Sequence, residues 1–149
     1  VWGIDGQVSV PLMERVGMWG MPAWSPVRMV RDEAASQIAF LQAKNPLESS
    51  VSSYTLWAMD RDGSDAHSLF PPVGEIGLQP QPVAWSPRGD QIALIYGGDL
   101  YLVEALPGDI ATRPLTGDGT NSNPVWVMGQ PRAEPTPTPI PESHGIPVE

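Results

Sequence analysis

The chain has 149 residues, and its 17 acidic side chains outnumber 8 basic ones to give a formal net charge of −9. That charge disfavours binding to nucleic-acid phosphates and to anionic membrane surfaces, whereas a cationic partner or a divalent metal ion fits it. No cysteine is present, which excludes disulfides, thiol catalysis and cysteine-ligated zinc.

Residues 1–21 open the chain without the basic start and long apolar core of a signal peptide. No apolar run reaches the roughly 18–20 residues that a bilayer-spanning helix needs, so direct membrane insertion is not expected. The opening VWGIDGQVSVPLM matches the later LWAMDRDGSDAHSLF, so residues 1–21 are predicted to form the last strands of a preceding unit. We expect the chain to belong to a longer protein.

Residues 22–81 are predicted to form one unit of four strands. The strands are AWSP at 23–26, the run around Ile38, Ala39 and Phe40, YTLWAMD at 54–60 and HSLF at 67–70. Short segments rich in β-branched and aromatic residues, bounded by Pro or Asp-Gly, favour strands over helices. Residues 27–36 and 43–53 lengthen this unit and are predicted to be inserted loops.

Residues 82–123 repeat the same order. AWSP returns at 84–87, followed by QIALIY at 91–96, DLYLVE at 99–104 and a short last strand. Gly97-Gly98 predicts a hairpin turn between the second and third strands of this unit. NPVWVM matches the opening of a unit once more, so residues 124–129 are predicted to be the first strand of a further one. Five aromatic side chains are expected to pack between units, because large rings bury much area: Trp24, Trp57, Trp85, Tyr101 and Trp126.

Four short antiparallel strands that repeat about every 40 residues are typical of a propeller blade. AWSPRGDQIALIYGGDLYLVE resembles the WD-repeat-like, Trp-Ser-Pro-Asp-Gly repeat of TolB-type β-propellers. The predicted fold is all-β, with about three four-stranded blades: two full blades plus strands at both ends, at residues 1–129. About three blades do not close a ring, so either the rest of a longer chain or further identical chains would complete it. The resemblance implies an extracytoplasmic, envelope-associated protein.

Residues 130–149 read QPRAEPTPTPIPESHGIPVE and contain no periodic apolar face. The alternating prolines favour extended polyproline II structure, so a linker is the preferred interpretation. A proline-rich ligand for a recognition domain is the alternative.

Three short polar segments are candidate sites. Asp60, Asp62 and Asp65 offer oxygen ligands of the kind calcium prefers, although an Asp-Gly hairpin turn explains them more simply. Arg88-Gly89-Asp90 is read as a hairpin turn in preference to an adhesion motif. Residues 117–123, GDGTNSN, either form a turn, which Asn, Asp and Gly favour, or belong to a ligand site on one face of a propeller.

Charged residues in the two insertions are candidates for contact with a protein partner, since loops carry much of the specificity of rigid scaffolds. The alternative is a solvated loop with no partner. The candidates are Arg28, Arg31, Asp32 and Glu33 in the first insertion, and Lys44 and Glu48 in the second.

No catalytic constellation is evident in the sequence. Gly-x-Ser-x-Gly, Gly-x-Gly-x-x-Gly and phosphate-loop motifs do not occur, and His67 and His144 are too few for a three-histidine zinc site. No catalytic residue, resident metal or cofactor is therefore predicted. The favoured function is a non-catalytic scaffold for protein–protein interaction. The alternatives are the gating propeller of a prolyl-oligopeptidase-like serine peptidase and a ligand- or calcium-binding sensor domain.

Overall fold

A computed structural model describes residues 11–30, 33–105, 111–127 and 129, with only the backbone of Val30 and Glu33. In these segments the chain is all-β, as predicted, with one short 3₁₀ turn at Pro46–Glu48. None of its antiparallel sheets is closed. The predictions for residues 1–10, Arg31, Asp32 and the tail with His144 lie outside the described residues.

Ten strands follow one another in the described parts of the chain. In order they are β1 (Ala23–Trp24), β2 (Arg28–Val30), β3 (Glu33–Ala35), β4 (Gln37–Ala43), β5 (Tyr54–Asp60), β6 (His67–Phe70), β7 (Ala84–Trp85), β8 (Gln91–Tyr96), β9 (Asp99–Glu104) and β10 (Thr112–Pro114).

Two four-stranded antiparallel sheets carry the sequence repeat. Sheet 1 has the order β1-β4-β5-β6, and sheet 2 has the equivalent order β7-β8-β9-β10. The register repeats as well, because an Ala pairs with an Ala and a Trp with an Ile in both sheets: Ala23 with Ala39, Trp24 with Ile38, Ala84 with Ala93 and Trp85 with Ile92.

The serine of each Trp-Ser-Pro motif joins the first strand of a sheet to the second. The buried hydroxyl of Ser25 accepts a hydrogen bond from the amide of Gln37 at 2.9 Å. The buried hydroxyl of Ser86 accepts the equivalent bond from Gln91 at 3.1 Å. The motif recurs because the following proline ends the strand while the serine satisfies a buried amide.

The first insertion differs from its prediction as a loop. β2 and β3 form a separate two-stranded sheet in which Arg28 pairs with Ala35 and Met29 with Ala34. Its sequence has no Asn-Gly or Asp-Gly pair between the strands, so the usual hairpin signal is missing. The second insertion, at 43–53, contains the 3₁₀ turn and is otherwise a loop, as predicted.

The main core lies between the facing surfaces of the two sheets. Leu41, Tyr54 and Leu56 of sheet 1 are buried there together with Ile92 and Val103 of sheet 2. Close packing of these side chains excludes water from both inner faces.

The opposite face of sheet 1 is covered by the chain that precedes β1. Leu12, Met13 and Val16 pack there on the cluster of Ile38, Phe40 and Met59. No helix in the described residues is long and apolar enough to cross a bilayer.

Candidate functional site

A cleft of about 640 Å³ lies where three connecting segments meet beside sheet 2. The segments are the connection from β6 to β7, the turn between β8 and β9, and the chain that follows β10. None of the lining residues that the structure describes is charged: Ile76, Gly77, Gln79, Pro80, Gln81, Pro82, Ile95, Tyr96, Gly97, Gly98, Asn121, Ser122, Asn123 and Pro124.

One wall of the cleft is fixed by the side-chain amide of Gln81. Its Nε2 donates to the carbonyl of Ile95 at 2.7 Å, and its Oε1 accepts from the Ile95 amide at 2.7 Å. Since β7 begins only at Ala84, the Gln81 amide takes the place of a neighbouring strand at Ile95. Both polar atoms are therefore engaged in structure.

The opposite wall is a turn held against a loop. Gly97 and Gly98 both have positive φ, as a tight hairpin between β8 and β9 requires. The backbone amide of Asn121 donates to the Gly98 carbonyl at 2.8 Å, and its side-chain amide donates to Thr116 Oγ1 at 2.9 Å. A side chain at Gly98 would collide with the carbonyl of Gly119, so the two segments touch through bare backbone.

The carboxylates near this wall hold the loop in place. Asp99 Oδ1 accepts from the amide of Gly119 at 2.9 Å. The pKa of Asp118 is lowered, first by the backbone amide and side chain of Thr120 and then by the Asn121 side chain. Exclusion from water and, next, the nearby Glu75 raise the pKa of Tyr96.

The described lining of the cleft is largely apolar. It provides apolar surface from Ile76, Ile95 and three prolines, with amide and hydroxyl groups at the edge. Among the described lining residues, the hydroxyl groups are those of Ser122 and Tyr96, and no histidine or carboxylate stands beside Ser122 to act as its base. A neutral, largely apolar ligand or chain segment suits such a cleft.

The three candidate calcium ligands form a hairpin turn. Asp62 Oδ1 accepts from the amide of Ser64 at 3.0 Å and from its hydroxyl at 2.6 Å, and these bonds lower the Asp62 pKa. Asp65 adopts φ +52°, and its carbonyl contacts His67 Nδ1. No group of three or more potential ligand side chains converges for a metal ion in the described chain.

The Arg88-Gly89-Asp90 segment is the turn between β7 and β8. Gly89 has φ +69°, and Asp90 accepts a hydrogen bond from the Ser86 hydroxyl at 2.7 Å. A Cβ at Gly89 would lie 2.7 Å from the carbonyl oxygen of Pro26, so this turn lies directly against the chain that follows β1.

The charged residues of the two insertions have different contacts. Arg28 is half-buried, and its Nε has no hydrogen-bond partner within the described residues. Lys44 Nζ donates to the carbonyl of Glu75 at 2.6 Å, whereas Glu48 accepts from the Asn45 side chain at 2.8 Å. Glu33, Arg31 and Asp32 have no described side chains.

The aromatic candidates occupy two kinds of position. Trp85 packs against the core between the sheets, and Tyr101 lies 5.5 Å from the ring of Phe70. The indole of Trp85 donates to the carbonyl of Ala23 at 3.1 Å, and that of Trp126 donates to the carbonyl of Ala84 at 2.9 Å. Trp57 packs on the opposite face of sheet 1, and Trp24 is 53% exposed.

Only part of the cleft was anticipated from the sequence. The polar loop 117–123 was a candidate, and its Asn121, Ser122 and Asn123 do line the cleft. Gln81 and Tyr96 were missed. An isolated Gln between prolines gives no sequence signal for its bond to Ile95, although the nearby Gly97-Gly98 marked the turn.

Comparisons with protein-family models, with curated proteins and with solved structures found no match for this chain.

Proposed function

We propose that this chain is a blade-containing segment of a non-catalytic β-propeller, which serves as a scaffold for extracytoplasmic, envelope-associated protein partners. Its support is the recurrence of the same four-stranded antiparallel sheet, with the same register and the same indole contact to the preceding sheet. A rigid stack of such sheets presents its insertions at fixed positions.

The observation that carries the binding role is the apolar surface of the two insertions. Leu47 is 93% exposed and Val51 84% exposed in the second insertion, and Val27 and Met29 are exposed in the first. Contiguous exposed apolar surface is typical of protein-interaction sites, and these aliphatic side chains supply such surface on each insertion. The partner contact therefore includes apolar side chains beside the charged Lys44 and Glu48.

The test is capture of partners from an extract of the source cells. The immobilised chain is compared with the double variant Leu47→Asp, Val51→Asp, and captured proteins are quantified by mass spectrometry. Val73→Asp is the control, because Val73 is fully exposed in the connection between β6 and β7.

We expect at least one protein to be captured by the wild type and the control and to be lost with the double variant. Equal capture by all three chains would contradict the binding role of the second insertion. Circular dichroism checks that each variant keeps its sheets.

A further inference from the structure

The first strand of sheet 1 is continued by the chain that precedes it. The amide of Leu41 on β4 donates to the carbonyl of Gly20 at 2.7 Å, and the amide of Ala43 donates to that of Val16 at 2.8 Å. A Cβ at Gly17 would lie 2.7 Å from that of Ala43, so this segment packs closely along the end of β4.

Sheet 2 lacks this continuation of its first strand. The repeated register places Ile95 and Gly97 at the two positions that bond to the preceding chain in sheet 1. The chain before β7 contains Pro80 and Pro82, which disfavour strand pairing, and its bonds to Ile95 come from the side chain of Gln81. All five residues line the uncharged cleft. The cleft therefore occupies the place that the chain before β1 fills in sheet 1.

The cleft is separate from the surface on which a further repeat would pack. The bond of the Trp126 indole to the carbonyl of Ala84 places that surface beside β7. The described lining of the cleft ends at Pro124 and does not include residues 125–127. In sheet 1, moreover, the equivalent space is filled by the chain just before its own first strand and not by the sheet that follows. A further repeat would therefore leave the cleft open.

The cleft combines apolar surface with neutral hydrogen-bonding groups. Ile76 lines it and is 79% exposed, and the ring of Tyr96 lines it together with three prolines. The side chains of Gln79 and Asn123 add amide groups at its edge. Uncharged grooves with an aromatic ring accept proline-rich segments, because the polyproline II conformation costs little entropy to fix.

One segment of this chain has the matching chemistry. Residues 135–141 read PTPTPIP and carry no charge, although Glu134 and Glu142 flank them. The prolines and Ile140 supply apolar surface, and the threonine hydroxyls and backbone carbonyls can bond to the amide groups of the cleft. The lack of charge matters, because a carboxylate placed against this lining would lose water without gaining a cationic partner.

The tail is long enough to return to the cleft. Pro124 lies in the cleft and Gly129 is the last described residue, so at most about 18 Å of extended chain separates the two. Residues 130–135 can span about 20 Å, which covers the same distance in the opposite direction. We propose that residues 135–141 of this chain dock in the uncharged cleft as an internal proline-rich ligand.

The test is disulfide trapping, which is specific because the chain contains no cysteine. Ser122→Cys in the cleft lining is combined with Thr138→Cys in the middle of the tail segment. The control combines Arg88→Cys with Thr138→Cys, because Arg88 lines a pocket together with Gly129 and so lies near the start of the tail. Ser122 and Arg88 are both exposed, so neither substitution disturbs a packed side chain. Equilibration of each full chain with reduced and oxidised glutathione gives the effective concentration of its two thiols.

We expect the effective concentration to be at least about tenfold higher for the Ser122 pair than for the Arg88 pair, because docking holds Thr138 within disulfide reach of the cleft. Ile76→Asp is then added to both pairs. It should lower the first value by about tenfold and leave the second unchanged, because a charge in the cleft disfavours an apolar segment. Circular dichroism checks that each variant keeps its sheets.

Equal effective concentrations for the two pairs would overturn the proposal, since the tail would then sample both positions without preference. A value for the Ser122 pair that Ile76→Asp leaves unchanged would overturn it as well. Disulfide-linked dimers as the main product of the Ser122 pair would show that the cleft holds the tail of a second copy instead. None of these results depends on the insertions, so the scaffold function is tested separately.

Discussion

Single hydrogen bonds from tryptophan indoles connect neighbouring repeats. Trp85 and Trp126 each donate to the carbonyl of the alanine that precedes the Trp of the repeat before. The sequence revealed these tryptophans through the repeated Ala-Trp-Ser-Pro and through the Val-Trp of the last repeat. It could not reveal Gln81, because the bonding of that amide to Ile95 depends on how far β7 extends, and strand ends are poorly specified by local sequence.

Replacement of Trp85 by Phe should destabilise the chain, although an aromatic ring would still pack against the core at that position. The lost indole N–H leaves the Ala23 carbonyl short of one bond, and the free energy of unfolding should fall by about 1–2 kcal/mol. Urea denaturation followed by circular dichroism measures the change. Trp24→Phe is the matched control and should cost less, since its ring is half exposed. A larger loss from Trp24→Phe would contradict this account.

At the scale of the elements, the sequence predicted the glycine-containing turns but not the strands of the first insertion. Asp62-Gly63 and Gly97-Gly98 predicted hairpins correctly, because glycine provides the positive φ these turns need. The β2–β3 hairpin was not predicted, since its sequence is charged and has no such turn pair. The contact of Gly98 with Gly119 was also beyond the sequence, because it joins two turns that are distant along the chain.

Gly98→Ala should destabilise the turn that forms one wall of the cleft. The added methyl group would meet the Gly119 carbonyl, and φ of +87° is unfavourable for alanine. We expect a loss of about 1–3 kcal/mol in the free energy of unfolding, measured by urea denaturation. Gly117→Ala lies in the loop after β10, which contacts the Gly98 turn through Gly119, and its Cβ would have open space around it, so it should be close to neutral. Similar losses for both variants would show that the close contact at Gly98 is not their cause.

At the scale of the whole molecule, the two four-stranded sheets share one core, in which each buries an apolar face against the other. Phe70 of sheet 1 lies at the centre of this contact, 5.0 Å from Tyr96 and 5.5 Å from Tyr101 of sheet 2. The sequence predicted the strands and their repetition, because alternation and turn residues are local. It could not specify which aromatic rings meet, because that depends on the angle between the sheets.

Truncation of Phe70 to alanine should therefore weaken both sheets together. The cavity and the lost ring contacts should lower the free energy of unfolding by about 3–5 kcal/mol. Tryptophan fluorescence reports the tertiary packing around the six tryptophans, Trp85 at the interface among them, and far-ultraviolet circular dichroism reports the strands of both sheets. The two denaturation curves should coincide in the wild type and shift together in Phe70→Ala, whereas Val73→Ala on the exposed connection should shift neither. Separate transitions would mean that the sheets unfold independently and that their stacking contributes little to the fold.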